Sequence, residues 1–232
     1  MANFSTHFNT AALASGLASA ALLSANHIEL NTALWLWFLG TIGGLLPDID
    51  SDNSTSLDII FNLFTISIVL LSIRYFTSDA IDERQFLLLI GMPVMIHLII
   101  KYGIRNIFEW QTIHRGICHS LLFLFFCGLV TTDIIWFTLD ADVAHKEFIA
   151  WLSGMFVFSG GIVHLVLDEI YSVDLANVRI KRSFGSALKF TDFSNQPLTL
   201  CFTLMSSSLF WFAPPIESTI LALKNWQFFK LW

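Results

Sequence analysis

The chain has 232 residues, 55% hydrophobic and only 13% charged, with 23 Phe, 8 Trp and a mean hydropathy of +0.69. A soluble domain carries about 25% charged residues, so polar groups are too few to cover a water-soluble globule and lipid is the expected solvent. Disordered, collagen-like and nucleic-acid-binding classes are excluded, and the formal net charge of -6 says little about partners because acids and bases are confined to a few short loops.

In chain order, the apolar runs 11–25 and 33–46 come first. Both are short against the roughly 20 apolar residues that cross a hydrocarbon core. Their Ala, Ser and Gly content suits close helix packing in a bundle, and they read as two spans or as a re-entrant pair. Four windows are long enough to span: 57–76, 86–104, 118–138 and 148–167. A fifth, 198–212, stops at Pro214-Pro215, where missing amide hydrogens break an extended helix. Residues 216–232, with Trp226 and Trp232 beside Lys224 and Lys230, read as an interfacial anchor. The expected fold is all-α: one multi-pass membrane domain over residues 1–232, with five to seven membrane segments and no repeat or linker. Cys118, Cys127 and Cys201 show no disulfide or zinc-knuckle spacing. The first basic residue is Arg74, so no cleavable secretion signal is expected and the chain is used whole.

Counting sides turns this topology into a functional expectation. With the N-terminal side called A, loops 47–56, 101–117 and 169–197 fall on side A, and loops near Asn26, Ser78 and Asp140 on side B. Side A carries Lys101, Arg105, Arg115, Arg179, Lys181, Arg182 and Lys189; side B carries Arg74, Arg84, Lys146, Lys224 and Lys230. Seven against five makes side A cytoplasmic by the positive-inside rule.

Side A also gathers the metal-binding residue types: His7, Asp48, Asp50, His114, His119, His164 and Asp168. His164 and Asp168 are four apart and share a helical face. Asp48 and Asp50 follow a proline that ends helical structure, and an extended turn lets both swing to one ion. A catalytic zinc takes three protein ligands plus water, so seven candidates suit a two-ion centre, with zinc favoured over manganese or iron and calcium disfavoured by the mixed N and O donors. The matching chemistry is hydrolysis by activated water, with Arg115 as clamp for a phosphate or carboxylate and His114 and Asp50 as further catalytic candidates.

Ordinary explanations compete. A lone Asp-x-Asp is usually a solvated turn, an isolated His-x-x-x-Asp is often a packed polar pair, and Ser120 suits a helix cap better than a nucleophile. His97, inside the 86–104 window, reads equally as a proton relay or a helix contact, while His27 and His145 fall on side B. Convergence of costly polar residues at several helix ends on one side favours the metal site.

The early His, Leu-Pro-Asp-Ile-Asp at 46–50, His-Arg-Gly-x-x-His-Ser at 114–120 and His-x-x-x-Asp at 164–168 together resemble the YdjM-type family. The resemblance implies a multi-pass, LexA-binding, metal-dependent hydrolase of the bacterial inner membrane, and assigns metal binding to His7, Asp48, Asp50, His114, His119, His164 and Asp168, with Arg115 beside them. It covers residues 7–168. Family sequences often place a His after Asp-x-Asp and a Thr before the second motif His, where this chain has Ser51 and Cys118. The leading expectation is a hydrolase of a lipid ester or phosphodiester at the cytoplasmic headgroup layer, with membrane lipid and a lipid-like or phosphorylated substrate as its partners. The alternatives are a divalent-cation transporter and a noncatalytic scaffold binding a regulator or anionic headgroups through loop 169–197.

Overall fold

The structure, a computed structural model, describes residues 3–50, 55–77, 83–106, 116–140, 142–143, 145–174, 179–180, 185 and 188–224. Where the absence of a linker leads to one undivided domain, the helices group into two compact units, Met1–Pro47 with Arg115–Trp232, and Asp48–His114.

The first unit opens with α1, Phe4–Ser24, whose N-cap Asn3 accepts from the Thr6 amide at 2.8 Å. Its stop is equally local. Asn26 takes the left-handed conformation (φ 56°), and the amides of Asn26 and His27 bond back to the carbonyls of Leu23 and Leu22. This is the paired closure that uses up orphan carbonyls at a helix end. The reversal sends α2, Leu30–Gly43, back along α1, where Trp37 donates its indole N–H to the Ala12 carbonyl at 2.9 Å. After α5 (Leu121–Thr138) and α6 (Lys146–Ser172), the two-residue strands β1 (Val173–Asp174) and β2 (Arg179–Ile180) pair antiparallel. Helix α7, Gln196–Phe212, and α8, Glu217–Lys224, meet at an 81° bend around Pro214-Pro215.

Helix α6 is the axis of this unit and packs against α1, α2, α5 and α8. Small residues let the backbones touch. A Cβ on Gly160 would collide with the Gly40 carbonyl oxygen, one on Gly43 with the Val157 carbonyl oxygen, and one on Gly154 with the Gly128 carbonyl oxygen. In lipid, where helices gain little from hydrophobic exclusion, such close approach supplies the dispersion energy that holds a bundle together. Leu22, Leu36, Phe148, Leu152 and Phe156 fill the core towards one end.

In the second unit, α3 (Thr55–Phe76) packs against α4 (Glu83–Leu98), which continues as a π-helical turn, Ile99–Ile104. Arg105 pairs with Asp58 at 2.7 Å. His97 is exposed in the last turn of α4.

Among the described residues three stretches are long and apolar enough to cross a membrane, Glu83–Ile104, Leu121–Thr138 and Lys146–Ser172; the bent α7–α8 pair makes a fourth if taken as one span. That is fewer than the five to seven expected. Helix α2, at 14 residues, reaches only about 21 Å at 1.5 Å per residue, short of the roughly 30 Å hydrocarbon core. Helix α1 is long enough, but its Ser, Thr and Asn dilute its hydropathy. Large apolar side chains lie on the surface, Trp211 at 85% and Leu87 at 70% exposure among them, as befits a protein whose solvent is lipid. Of the expected C-terminal anchor, Trp226, Lys230 and Trp232 lie outside the described residues, as do Lys181, Arg182 and the Arg179 side chain of loop 169–197.

Candidate functional site

Helix α6 presents Gly160, His164 and Asp168 at four-residue intervals, hence on one face, and all three are buried. Opposite them, the second turn of α1 contributes His7, and the segment before α5 contributes His119. Side-chain exposure is 1% for His7 and 0% for His119, His164 and Asp168. His7 Nε2 lies 3.3 Å from Asp168 Oδ1, and His119 Nε2 lies 3.8 Å from Asp168 Oδ2. The His7 and His164 rings stack at 3.6 Å, 9° from parallel, and His119 meets His164 edge-on at 5.7 Å. One donor atom from each of His119, His164 and Asp168 falls within 4.8 Å of the others.

Backbone groups position His164 and His119. His164 Nδ1 donates to the Gly44 carbonyl at 2.8 Å. This bond fixes the tautomer: the proton sits on Nδ1 and the lone pair is left on Nε2, the arrangement of a metal-ligating histidine held by an outer partner. The Gly44 carbonyl reaches that far because α2 lies directly against Gly160, with Ala11 of α1 packed on Gly44. Sequence reasoning missed this contact. Its signal was the Gly40–Gly44 pair, one helical turn apart, which marks a face where backbones approach.

His119 is held by the cap of α5. Its amide bonds the Gly116 carbonyl at 3.3 Å, and Ser120 Oγ donates to Ile117 O at 2.5 Å while accepting from the Phe123 amide at 3.3 Å. The Leu121 and Leu122 amides bond the carbonyls of Lys189 and Phe190, both at 3.0 Å, and the Leu124 amide bonds Ser120 O. The three orphan donors of Leu121, Leu122 and Phe123 are therefore satisfied, and Ser120 is the N-cap of α5. The covering segment is steadied by Asp192: partial burial pushes its carboxyl up, but the Ser194 hydroxyl at 2.6 Å and the Lys189 ammonium at 3.7 Å outweigh that and hold it below its ordinary value. Ser120→Ala should lower stability by about 1 kcal/mol and loosen His119, read as a lower unfolding midpoint in detergent.

Neutral imidazole and carboxylate are the donors that zinc-type cations take. Two ligands at about 2.05 Å from one tetrahedral ion stand about 3.4 Å apart, close to the 3.3 and 3.8 Å seen here. Among the described residues the buried Nδ1 of His7 has no hydrogen-bond partner, while its Nε2 faces Asp168. Each such buried atom costs about 1–3 kcal/mol, which a coordinated cation would offset. The residues present fit a divalent metal.

The structure thus brings together His7, His119, His164 and Asp168. His114 and Arg115 lie outside the described residues. Asp48 and Asp50 belong to the 3-10 turn Pro47–Asp50, which opens the second unit, and the Asp50 side chain lies outside the described residues.

A family model described as YdjM inner membrane protein matches residues 1–216. No curated protein and no solved structure matches the chain.

Proposed function

The chain belongs to the YdjM inner membrane protein family, and on that premise we propose that it is a membrane-bound, metal-dependent hydrolase of a lipid ester or phosphodiester. His7, His119, His164 and Asp168 hold the metal. Asp48, four residues beyond Gly44 in the chain, is the next candidate ligand. Zinc suits a set of three imidazoles and one carboxylate best. A divalent cation bound there supplies Lewis acidity for ester or phosphoryl hydrolysis. The protein's own part is to keep His164 in one tautomer through Gly44, to hold Asp168 against His7 and His119, and to exclude bulk water by burial. Arg115 would serve the anionic part of the substrate, and His114 and Asp50 would act in the catalysis.

The observation that carries this reading is the burial of three imidazoles and a carboxylate in one cluster, with donor atoms of His119, His164 and Asp168 within 4.8 Å of one another. A second consideration is depth. His164 stands eight residues from the Ser172 end of α6 and eighteen from the Lys146 end, or about 12 and 27 Å at 1.5 Å per residue. A site near one end of a span suits headgroup chemistry better than a midplane transport site.

We read the α1–α2 hairpin and α3 as further membrane segments beside the longer helices, giving a multi-pass protein of the cytoplasmic membrane with the cluster on its cytoplasmic side. Thiol labelling of single cysteines placed at Asn26 and Asp140 tests this sidedness: both should react only from the periplasmic side.

Metal analysis of the purified full chain is the direct test. Stoichiometric zinc, manganese or iron is expected. A protein that carries none as purified and takes up none on reloading would falsify the proposal. Metal binding accompanied by uptake of that metal into sealed vesicles would instead assign the site to cation transport.

A further inference from the structure

Along α1 and α6 runs a groove of about 330 Å³, within the range of small-molecule sites, about 300–1,000 Å³, and lined almost wholly by apolar atoms. On α1 its wall is Ala14, Ala18 and Ala21, whose spacings of four and three put them on one helical face. On α6 it runs from Leu152 to Val163, about 16 Å at 1.5 Å per residue. Ala18, Met155 and Ser159 are exposed, so the groove opens sideways.

The groove and the candidate metal centre are built on the same two helices, α1 and α6. Ala14 lies seven residues, two turns, after His7 on the same face of α1. Gly160, in the groove wall, lies four before His164, and Val163 is its neighbour. A void lined by apolar atoms forfeits dispersion contacts. Beside a membrane-spanning helix, the molecule available to fill it is hydrocarbon.

We propose that this groove seats one hydrocarbon chain of a lipid whose polar end lies at the cluster of His7, His164 and Asp168. The identity of that lipid as substrate rests on the hydrolase reading above; the seating of the chain does not. The alanines set the width of the groove, and Leu22, Leu152 and Leu223 close its far end.

The test uses the full chain in phosphatidylethanolamine vesicles containing phosphatidic acid with a photoactivatable diazirine at the end of one acyl chain. Labelling should fall on residues 14–22 and 152–163, several-fold above that of the exposed face of α4 around Leu87. Moving the diazirine next to the glycerol should shift the label towards Ser159 and Val163. Ala18→Phe and Met155→Trp, which fill the groove, should each cut groove labelling several-fold and leave the α4 labelling unchanged.

Groove labelling no higher than at Leu87, or unmoved by both substitutions, overturns the proposal. So does loss of a dimer on Ala18→Phe, which would make the groove a contact between two copies of the chain. If neither variant folds, the shift of label in the wild type decides alone. Metal content of the same samples separates the two readings: labelling without metal leaves the groove and removes the hydrolase, whereas metal without groove labelling removes only the seated chain.

Discussion

Asp168→Asn should weaken metal binding by more than about 100-fold while leaving the helices intact. Replacing a residue that merely supports a metal ligand typically costs about 10–100-fold in affinity, and Asp168 is the cluster's carboxylate among the described residues of the first compact unit, in contact with both His7 and His119. Asparagine keeps its shape and removes its charge. The same change has a second, independent readout. If the wild type holds an ion at about 100 times its dissociation constant, that ion contributes about 2.7 kcal/mol to stability, so a chelator should lower the unfolding temperature of the wild type and leave that of Asp168→Asn unmoved. A purely structural network of buried histidine and aspartate gives the opposite pattern: the substitution destabilises, and the chelator does nothing to either protein.

The second large effect is expected at a position with no chemistry of its own. Gly160→Ala should cost about 3 kcal/mol, at the upper end of what overpacking a close-packed interior costs. The added methyl meets the Gly40 carbonyl oxygen, with the Gly40 carbonyl carbon and the Gly44 amide nitrogen each 2.9 Å away. These are backbone atoms, which cannot rotate aside as a side chain does, so α2 must move off α6. That movement stretches the 2.8 Å bond from His164 to Gly44 and should lower metal affinity as well. Gly91→Ala is the control within the same protein. A methyl there meets nothing within 4 Å, and alanine in a helix is favoured over glycine by about 1 kcal/mol, so stability should hold or rise. Equal changes at both positions, read from unfolding midpoints in one detergent, would show that the backbone contact at Gly160 does not govern its stability.

Much of this molecule is legible without coordinates. Hydropathy and the scarcity of charge point to lipid as solvent, since apolar length and composition are local properties of the chain. Two helix ends follow from single residues, Ser120 as an N-cap and Pro214-Pro215 as a break, whereas the cap at Asn3 and the left-handed stop at Asn26 come from the structure. The pairing of His164 with Asp168 follows from the helical period alone.

Only the tertiary structure decides which distant groups meet. His7 stands 112 residues before His119, and His119 45 before His164; α1 and α6 come together because glycines at 40, 43, 44 and 160 remove the side chains that would keep α1, α2 and α6 apart. The Gly44 carbonyl that selects the tautomer of His164 has no signature as a donor or acceptor, since every residue has a carbonyl. The count of spanning helices likewise depends on where α2 ends. Sequence sets what each segment can do in lipid; contact at backbone distance, which no local pattern encodes, determines which of them do it together.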